Sequence, residues 1–299
     1  MAASFYDQVA ENKRNSYILI ALVFALAFIA LYAFSVLYIG AGDLGFYASI
    51  IFSAIYIAIT YFFSTQIVLQ ISGAREAQKG EFPYLVNIVD ALSTGAGIPA
   101  PKIYVIDDPA PNAFAVGTSP KNAAVAFTTG LLSIMNREEL EGVAAHEISH
   151  IRNYDSRMAT IAVVMVGLIA LISEIGLRVG FRSRRSGRSS GGGIIALIGL
   201  LIIVLAPIVA HLVRLALSRQ REYLADASGV ALTRYPPGLQ SALAKIKRSG
   251  SVVQSASDAT ASLYFANPMS FSGLFSTHPP IDERIRRLGE LDSSGQFQK

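Results

Sequence analysis

The sequence has 299 residues, of which 52% are hydrophobic and only 15% are charged, a balance typical of a membrane protein. It contains no cysteine, which excludes disulfide bonds and thiolate metal ligands, so any metal site must use histidine and carboxylate side chains. The net charge is +4, but the basic residues flank apolar segments and do not alternate with aromatic residues, which argues against nucleic acid as a partner.

Four apolar segments are each close to the roughly 20 residues that a transmembrane helix needs. They cover about residues 17–39, 44–69, 158–177 and 194–213. The first two predict an N-terminal hairpin within residues 1–71, and its first helix is interpreted as an anchor because it lacks a signal-peptide cleavage site. The last two predict a second hairpin, residues 158–213.

Basic residues indicate the orientation of the first hairpin. Lys13 and Arg14 precede it, Arg75 and Lys79 follow it, and its loop holds only Asp43. The positive-inside rule therefore predicts that both termini and the soluble part lie in the cytosol. The second hairpin disagrees, because its loop carries a run of arginines: Arg178, Arg182, Arg184, Arg185 and Arg188. We favour a spanning hairpin on the length and apolarity of its segments. The alternative is a re-entrant or surface-lying element on the cytosolic side, and the arginines can bind anionic lipid headgroups in either case.

The soluble segment between the hairpins, residues 72–157, mixes helical and strand patterns. Residues 82–93 have helical periodicity, and residues 102–106 alternate like a strand. Residues 112–116 and 123–127 predict two strands joined by a turn over 117–122. Asn136 is a candidate helix N-cap with Glu139 three residues later, which predicts a capping box at the start of the next helix.

That helix carries the pattern His-Glu-x-x-His at residues 146–150, in a chain with only four histidines. Two histidines four residues apart on a helix share a face, so His146 and His150 can hold one metal ion. Glu147 lies beside that ion, where its carboxylate can accept a proton from a metal-bound water. A structural metal site needs no such base, so the pattern favours hydrolysis.

A catalytic zinc site needs a third protein ligand, and Glu222 is the best candidate. Asp226 follows four residues later on the same helical face, where it can accept a hydrogen bond from a ligating imidazole. Asn153 shares the face of the two histidines and is a further candidate for supporting a ligating imidazole, whereas Asp155 is interpreted as structural. His211 shares the Glu222 face but lies ~16 Å away along a continuous helix, which excludes it as a ligand.

Four motifs are distributed along the chain: P-N-A-F-A at 111–115, H-E-x-x-H at 146–150, S-R-x-R-E-Y-x-A-D at 218–226 and T-H-P-P at 277–280. Together they resemble the HtpX-type membrane zinc metalloproteases, gluzincins related to the CAAX prenyl proteases. The resemblance covers nearly the whole chain. It implies an α-helical anchor of four transmembrane helices plus a mostly α, α+β zincin-type (minigluzincin) protease domain. That domain is split between residues 72–157 and 214–299, the second part supplying the third ligand of one Zn²⁺ per subunit.

The resemblance also implies roles for individual residues. Glu147 is the general base, and His278 stabilises the tetrahedral oxyanion. The strand residues that pair their backbone with an extended substrate are Asn112, Ala113, Phe114 and Ala115. The alternative is that His278 only packs in a loop. For residues 112–116 the alternative is that they only form a strand of a hairpin and bind no substrate.

We therefore expect a zinc endopeptidase that crosses the cytoplasmic membrane several times, with its catalytic domain facing the cytosol. Its expected partners are the lipid bilayer and membrane-protein or unfolded polypeptide substrates, as in membrane-protein quality control. A prenyl-protein processing protease is the alternative among enzymes, and a non-catalytic zinc-binding scaffold or sensor is the alternative outside them. A transporter is disfavoured because the apolar segments hold almost no polar residues.

Overall fold

Two long apolar helices form the N-terminal part of the protein. The computed structural model describes residues 5–36, 40, 42–78, 80–164, 219–257, 260–268 and 279–293. Helix α1 spans Phe5–Phe34 and α2 spans Gly42–Ile71. Each holds a stretch long and apolar enough to cross a membrane, Val9–Ile29 in α1 and the whole of α2. The buried positions of α2 are mostly small or polar, such as Ser49 and Ser53, as expected of a helix that packs on a second helix within lipid.

The second predicted hairpin falls largely outside the described residues. Residues 155–164 are helical, but they cover only the start of the segment predicted at 158–177. The segment at 194–213, the arginine-rich loop and His211 all lie in the part of the chain that is not described. Two of the four predicted membrane helices are therefore found as candidate spans, and the other two stay predictions.

A four-stranded sheet follows α2. Its strands are β1 (Ala74–Glu76), β2 (Lys102–Ile106), β3 (Ala113–Ser119) and β4 (Asn122–Thr128), in the order β1-β2-β4-β3. Strands β2 and β4 are parallel, and the other two pairs are antiparallel. The predicted strands are all found, although the β3–β4 hairpin is longer than expected because its turn tightens to residues 120 and 121. Strand β3 is thus an outer strand of the sheet.

The tight hairpin depends on Gly117, where the register between β3 and β4 shifts. Gly117 has a φ of 154°, and an added Cβ would lie 2.5 Å from the carbonyl oxygen of Asn122. Only glycine avoids this clash. The shift ends the hairpin in a short turn and leaves the pairing of β3 with β4 regular from Ala113 to Gly117.

The sheet packs between the membrane helices and a layer of further helices. These are α3 (Pro83–Ala96), α4 (Thr129–Ile134), α5 (Arg137–Arg152), α6 (Arg219–Thr233), α7 (Pro236–Ser249) and α8 (Ile281–Ser293), with a 3-10 turn at Ala261–Leu263. On one sheet face, Phe114 and Val116 share an apolar cluster with Val68 and Leu69 from the end of α2. On the other face, Val125 packs with residues of α3, α5 and α7. The soluble domain therefore rests directly on α2.

Helix α5 lies at the centre of the domain and is buried along most of its length. Its start is the predicted capping box: the Asn136 side chain accepts from the Glu139 N–H at 2.9 Å, and the Glu139 carboxylate accepts from the Asn136 N–H at 2.8 Å. Glu139 also pairs with Lys245 of α7 at 2.7 Å. The cap therefore fixes both the beginning of α5 and its packing on α7.

Candidate metal centre

The three predicted metal ligands meet between α5 and α6. The Nε2 atoms of His146 and His150 are 3.0 Å apart. The Glu222 carboxylate oxygens lie 3.7 Å from the first of these atoms and 3.4 Å from the second. Two imidazole nitrogens bound to one tetrahedral zinc at about 2.0–2.1 Å would be roughly 3.3 Å apart, so the separations match a single ion.

Close packing of α6 on α5 depends on Gly229. An added Cβ at this position would lie 3.0 Å from the backbone nitrogen of His146 and 3.2 Å from the carbonyl carbon of Ala145. Because no side chain intervenes, the two helix backbones approach closely. Glu222 lies about two turns earlier on α6 and is thereby brought within reach of both histidines.

Each histidine ring is oriented by a carboxylate at its second nitrogen. Nδ1 of His146 lies 2.9 Å from Oδ1 of Asp226, as the sequence predicts. Nδ1 of His150 lies 3.1 Å from Oδ2 of Asp155, a contact that the interpretation of Asp155 as a structural residue missed. The chain turns sharply after α5, with Tyr154 at a φ of 63°, and this turn brings Asp155 back to the ring. Such hydrogen bonds fix the tautomer and direct Nε2 toward the metal.

One other residue predicted to support the ligands, Asn153, makes no side-chain contact with them in the part of the chain that the structure describes. The side-chain amide of Asn153 is buried at the C-terminus of α5 and makes no hydrogen bond within the described part of the chain. The carboxylate that contacts the His150 ring is that of Asp155, because the reversal of the chain places this later residue beside the ring. His278 lies outside the described residues, and its oxyanion role stays a prediction.

Arg284 of α8 is a fully buried residue that the sequence analysis did not identify. Its Nε and Nη2 donate to the two carboxylate oxygens of Asp226 at 2.9 and 2.7 Å, and its Nη1 donates to the carbonyl oxygen of Phe265 at 2.7 Å. Burial raises the pKa of Asp226, but the charge of Arg284 and the hydrogen bonds outweigh it, so this pKa lies below its usual value. Arg284 thus keeps ionised the carboxylate that orients His146.

Glu147 is buried beside the ligands. Burial raises the pKa of its carboxyl group to about 8, although the charge of His150 acts in the opposite direction. Its Oε1 makes no hydrogen bond within the described residues. Glu147 lines a cavity of about 30 Å³ together with His150, Glu222 and Ala115, which is room for a water molecule and not for a peptide.

The pKa values of the two histidines are shifted in opposite directions. Burial lowers the pKa of His146 to about 4, so its ring is neutral and able to bind a metal. Burial acts in the same direction on His150, but the carboxylates of Asp155 and Glu222 outweigh it and hold its pKa well above the usual value. A metal ion must therefore displace a proton from His150.

The donor set fits zinc. Two imidazole nitrogens and one carboxylate from His146, His150 and Glu222 form a three-ligand group that leaves a further position for water. Magnesium and calcium prefer sites made of oxygen atoms alone, which this group is not. Glu147, whose Oε1 has no hydrogen-bond partner among the described residues, lines the cavity next to this group, where a catalytic site needs its base.

The outer edge of β3 is partly covered by the chain itself. The Phe265 N–H donates to the Ala113 carbonyl at 2.7 Å, and Phe114 forms an antiparallel bridge with Tyr264. The Asn112 side chain donates to the carbonyl oxygen of Ala266 and accepts from its N–H. Of the four residues predicted to pair with substrate, only Ala115 lines the cavity beside Glu147. Asn112, Ala113 and Phe114 are instead paired with residues 264–266. These two segments are about 150 residues apart in sequence, so no local pattern predicts their pairing.

Known proteins are similar to this chain along most of its length. The model of peptidase family M48 matches residues 79–292. The Protease HtpX homolog of Dictyoglomus turgidum is 49% identical over 292 residues, 95% of this chain and 94% of that protein. The Protease HtpX homolog of Streptococcus thermophilus is 44% identical over 297 residues, 96% of this chain and 99% of that protein. Among solved structures, S. mikatae Ste24p matches with a TM-score of 0.50 and 20% identity over 94% of this chain and 66% of that one, which shows a related fold.

The region matched by the family model contains the three candidate ligands, Glu147, Asp155, Asp226 and Arg284, and the relatives cover about 95% of the chain. The two N-terminal helices include two stretches that are long and apolar enough to cross a membrane. The chain therefore belongs to peptidase family M48, among the HtpX-type membrane metalloproteases.

Proposed function

We propose that the protein is a zinc-dependent endopeptidase that cuts membrane proteins or unfolded polypeptides at the cytosolic face of the cytoplasmic membrane. The observation that carries the proposal is the position of Glu147, a buried carboxyl group beside three converging metal ligands. A scaffold or sensor that only holds zinc needs no such group. Glu147 occupies the place at which peptide hydrolysis needs a base.

The proposed mechanism assigns one task to each group. When bound by His146, His150 and Glu222, zinc would supply a Lewis acid that acidifies water and polarises the peptide carbonyl. Glu147 accepts a proton from the attacking water and donates it to the leaving amine. Burial raises the pKa of Glu147 to about 8, and the charge of a nearby dication would lower it, which favours the ionised form that accepts a proton at neutral pH.

The proposed substrates are extended chain segments. Strand β3 is an outer strand, and pairing along such an edge recognises backbone more than side chains. Ala115 is the β3 residue that lines the cavity next to Glu147. The cavity also contacts Ser262 and Leu263, so a peptide can enter only if this segment shifts. Unfolded segments satisfy these requirements, whereas compact domains do not.

The proposed orientation rests on charge and packing. Basic residues flank the first hairpin on the side of the soluble domain, which favours the cytosol. The sheet packs directly on the end of α2, through Val68 and Leu69, so the metal centre lies close to the membrane. Chains that emerge from or lie on the bilayer are therefore the expected substrates.

The test is zinc-triggered cleavage by the full chain purified in detergent. Metal is removed with a chelator, zinc or magnesium is returned, and fragments of casein and of the protein itself are measured. We expect cleavage with zinc only. Glu147→Gln should keep zinc binding and lower cleavage by about 10²–10⁴-fold, the usual contribution of a general base.

Glu141→Gln is the matched control, because it makes the same chemical change on α5 at a position that pairs with Arg137 at the surface. It should cleave like the parent. Equal cleavage by Glu147→Gln and the parent would refute the mechanism. Zinc bound without cleavage by either protein would favour the scaffold or sensor.

A further inference from the structure

The N-terminal end of α1 reaches the metal centre. Asn12 is buried, with only 4% of its surface exposed. Its amide nitrogen donates to Oδ1 of Asp155 at 2.7 Å and to the carbonyl oxygen of Asn153 at 3.0 Å. Both N–H groups of the Asn12 amide therefore donate hydrogen bonds, and both acceptors lie in the turn that follows α5.

Asp155 connects this contact to a metal ligand. Its Oδ2 lies 3.1 Å from Nδ1 of His150, and its Oδ1 receives the hydrogen bond from Asn12. The two oxygens thus have different partners, one on the predicted membrane anchor and one on the metal ligand. Arg221 is a third neighbour, with Nε 3.8 Å from Oδ1, too far for a hydrogen bond. Asn12 is therefore the closest donor to that oxygen among the described contacts.

Further contacts hold α1 against the same turn. The Lys13 ammonium lies 4.4 Å from the centre of the Tyr154 ring, and the Arg157 guanidinium lies 4.5 Å from the centre of the Tyr17 ring. Tyr154 has a φ of 63°, a conformation that non-glycine residues adopt only when their surroundings impose it. The end of α1 supplies part of those surroundings.

We propose that Asn12 is a positioning residue for the metal centre: through Asp155 it fixes the ring of His150, so that zinc binds tightly only while α1 is docked. This inference rests on the proposed function, because it takes His150 as a zinc ligand. The membrane helix is then a part of the active site as well as a tether. Changes to outer hydrogen-bond partners of metal ligands typically weaken metal binding by about 10–100-fold.

Two variants separate hydrogen bonding from packing. Asn12→Asp keeps the shape of the side chain but places an acceptor and a charge against the Asp155 carboxylate. Asn12→Leu keeps the approximate size and removes the donor. Ser16→Ala is the matched control, because Ser16 is also buried, one turn later in α1. In the described part of the chain its hydroxyl donates to the Asn12 carbonyl of the same helix, at 2.7 Å.

A double variant supplies a rescue. In Asn12→Asp combined with Asp155→Asn, the amide stands on the turn and the carboxylate on α1. The exchanged amide can donate to α1 through its nitrogen and still accept from Nδ1 of His150 through its oxygen. Recovery of zinc affinity in this variant, relative to Asn12→Asp, cannot come from packing alone.

The experiment measures zinc affinity of the full chain in detergent by competition with a chromophoric chelator, in a Glu147→Gln background that prevents self-cleavage. The melting temperature of the metal-free protein is measured beside it. We expect roughly 10-fold weaker zinc binding for Asn12→Asp and Asn12→Leu, unchanged binding for Ser16→Ala, and recovery in the double variant.

Equal zinc affinity in the parent and both Asn12 variants would overturn the proposal. So would a lower melting temperature of the metal-free protein without a change in affinity, since that pattern marks a purely structural contact. If the parent background itself binds no zinc, the proposed function fails together with this inference. If it binds zinc and only the Asn12 effect is missing, the proposed function stands.

Discussion

Removing the guanidinium of Arg284 should destabilise the protein and weaken its metal centre. Arg284 is fully buried, and it makes two hydrogen bonds to Asp226 and one to the carbonyl oxygen of Phe265. In Arg284→Met, the Asp226 carboxylate would stay buried with His146 as its remaining partner, and breaking a buried pair in this way costs about 3–5 kcal/mol. The unpaired carbonyl adds about 1–3 kcal/mol if no water replaces the donor. Since the two costs overlap, we expect a loss of about 4 kcal/mol.

Thermal unfolding of the metal-free chain measures this loss, again in the Glu147→Gln background. A change of about 4 kcal/mol corresponds to a fall in melting temperature on the order of 10 °C for a chain of this size. Arg287→Met is the control, because Arg287 lies one turn away on α8, is exposed and contacts Glu283 and the Tyr223 ring. Such exposed contacts contribute about 0–1 kcal/mol.

A double-mutant cycle assigns the loss to the ion pair. Arg284→Met combined with Asp226→Asn should lose at least about 2 kcal/mol less than the sum of the two single changes, because the second change removes the unpaired charge. The reasoning is refuted if Arg284→Met unfolds within a few degrees of Arg287→Met. It is also refuted if the two single losses are additive.

Three further predictions concern the ligands and the helix contact. Glu222→Ala should weaken zinc binding by more than the 10–100-fold typical of outer-shell changes, as measured by chelator competition; an unchanged affinity would exclude Glu222 as a ligand. Zinc affinity should rise with pH across the neutral range, because zinc displaces protons from His150, whose pKa is raised, and from Glu147, whose pKa is about 8. Calorimetry in buffers of different ionisation enthalpy should detect the released protons, and pH-independent zinc binding would contradict this prediction. Gly229→Ala should destabilise the chain by about 1–3 kcal/mol in thermal unfolding, because its Cβ would press on the backbone of α5. Gly95→Ala is the control: its Cβ would meet its nearest atom at 3.9 Å, so it should be neutral or stabilising. Equal effects of the two changes would show that α5 and α6 do not approach closely.

Local patterns predicted those parts of the protein whose cause is local. The Asn136 and Glu139 capping box, the β3–β4 hairpin and the first two membrane helices each follow from residues within one segment. The convergence of His146, His150 and Glu222 was also predictable. A catalytic zinc ion needs three protein ligands, and the two motifs together supply two histidines and one carboxylate.

The missed contacts depend on chain reversals and on packing between distant segments. Asp155 follows the end of α5, where a left-handed residue reverses the chain, so helical spacing pointed to Asn153 instead. Arg284 lies in a helix rich in charged residues, where most arginines are solvated, and it is buried by segments distant in sequence, through Asp226, Phe265 and His146. The cover over β3 joins residues 113 and 265, which no periodicity relates.

The coordination of the metal tests the account most directly. We would load the full chain carrying Glu147→Gln with zinc and measure X-ray absorption at the zinc edge together with zinc content. We predict one zinc per chain, bound by two imidazole nitrogens at about 2.0–2.1 Å and by oxygen donors for the remainder, with the carboxylate oxygen lost in Glu222→Ala. Three imidazoles, an unchanged spectrum in Glu222→Ala, or no bound zinc would contradict it.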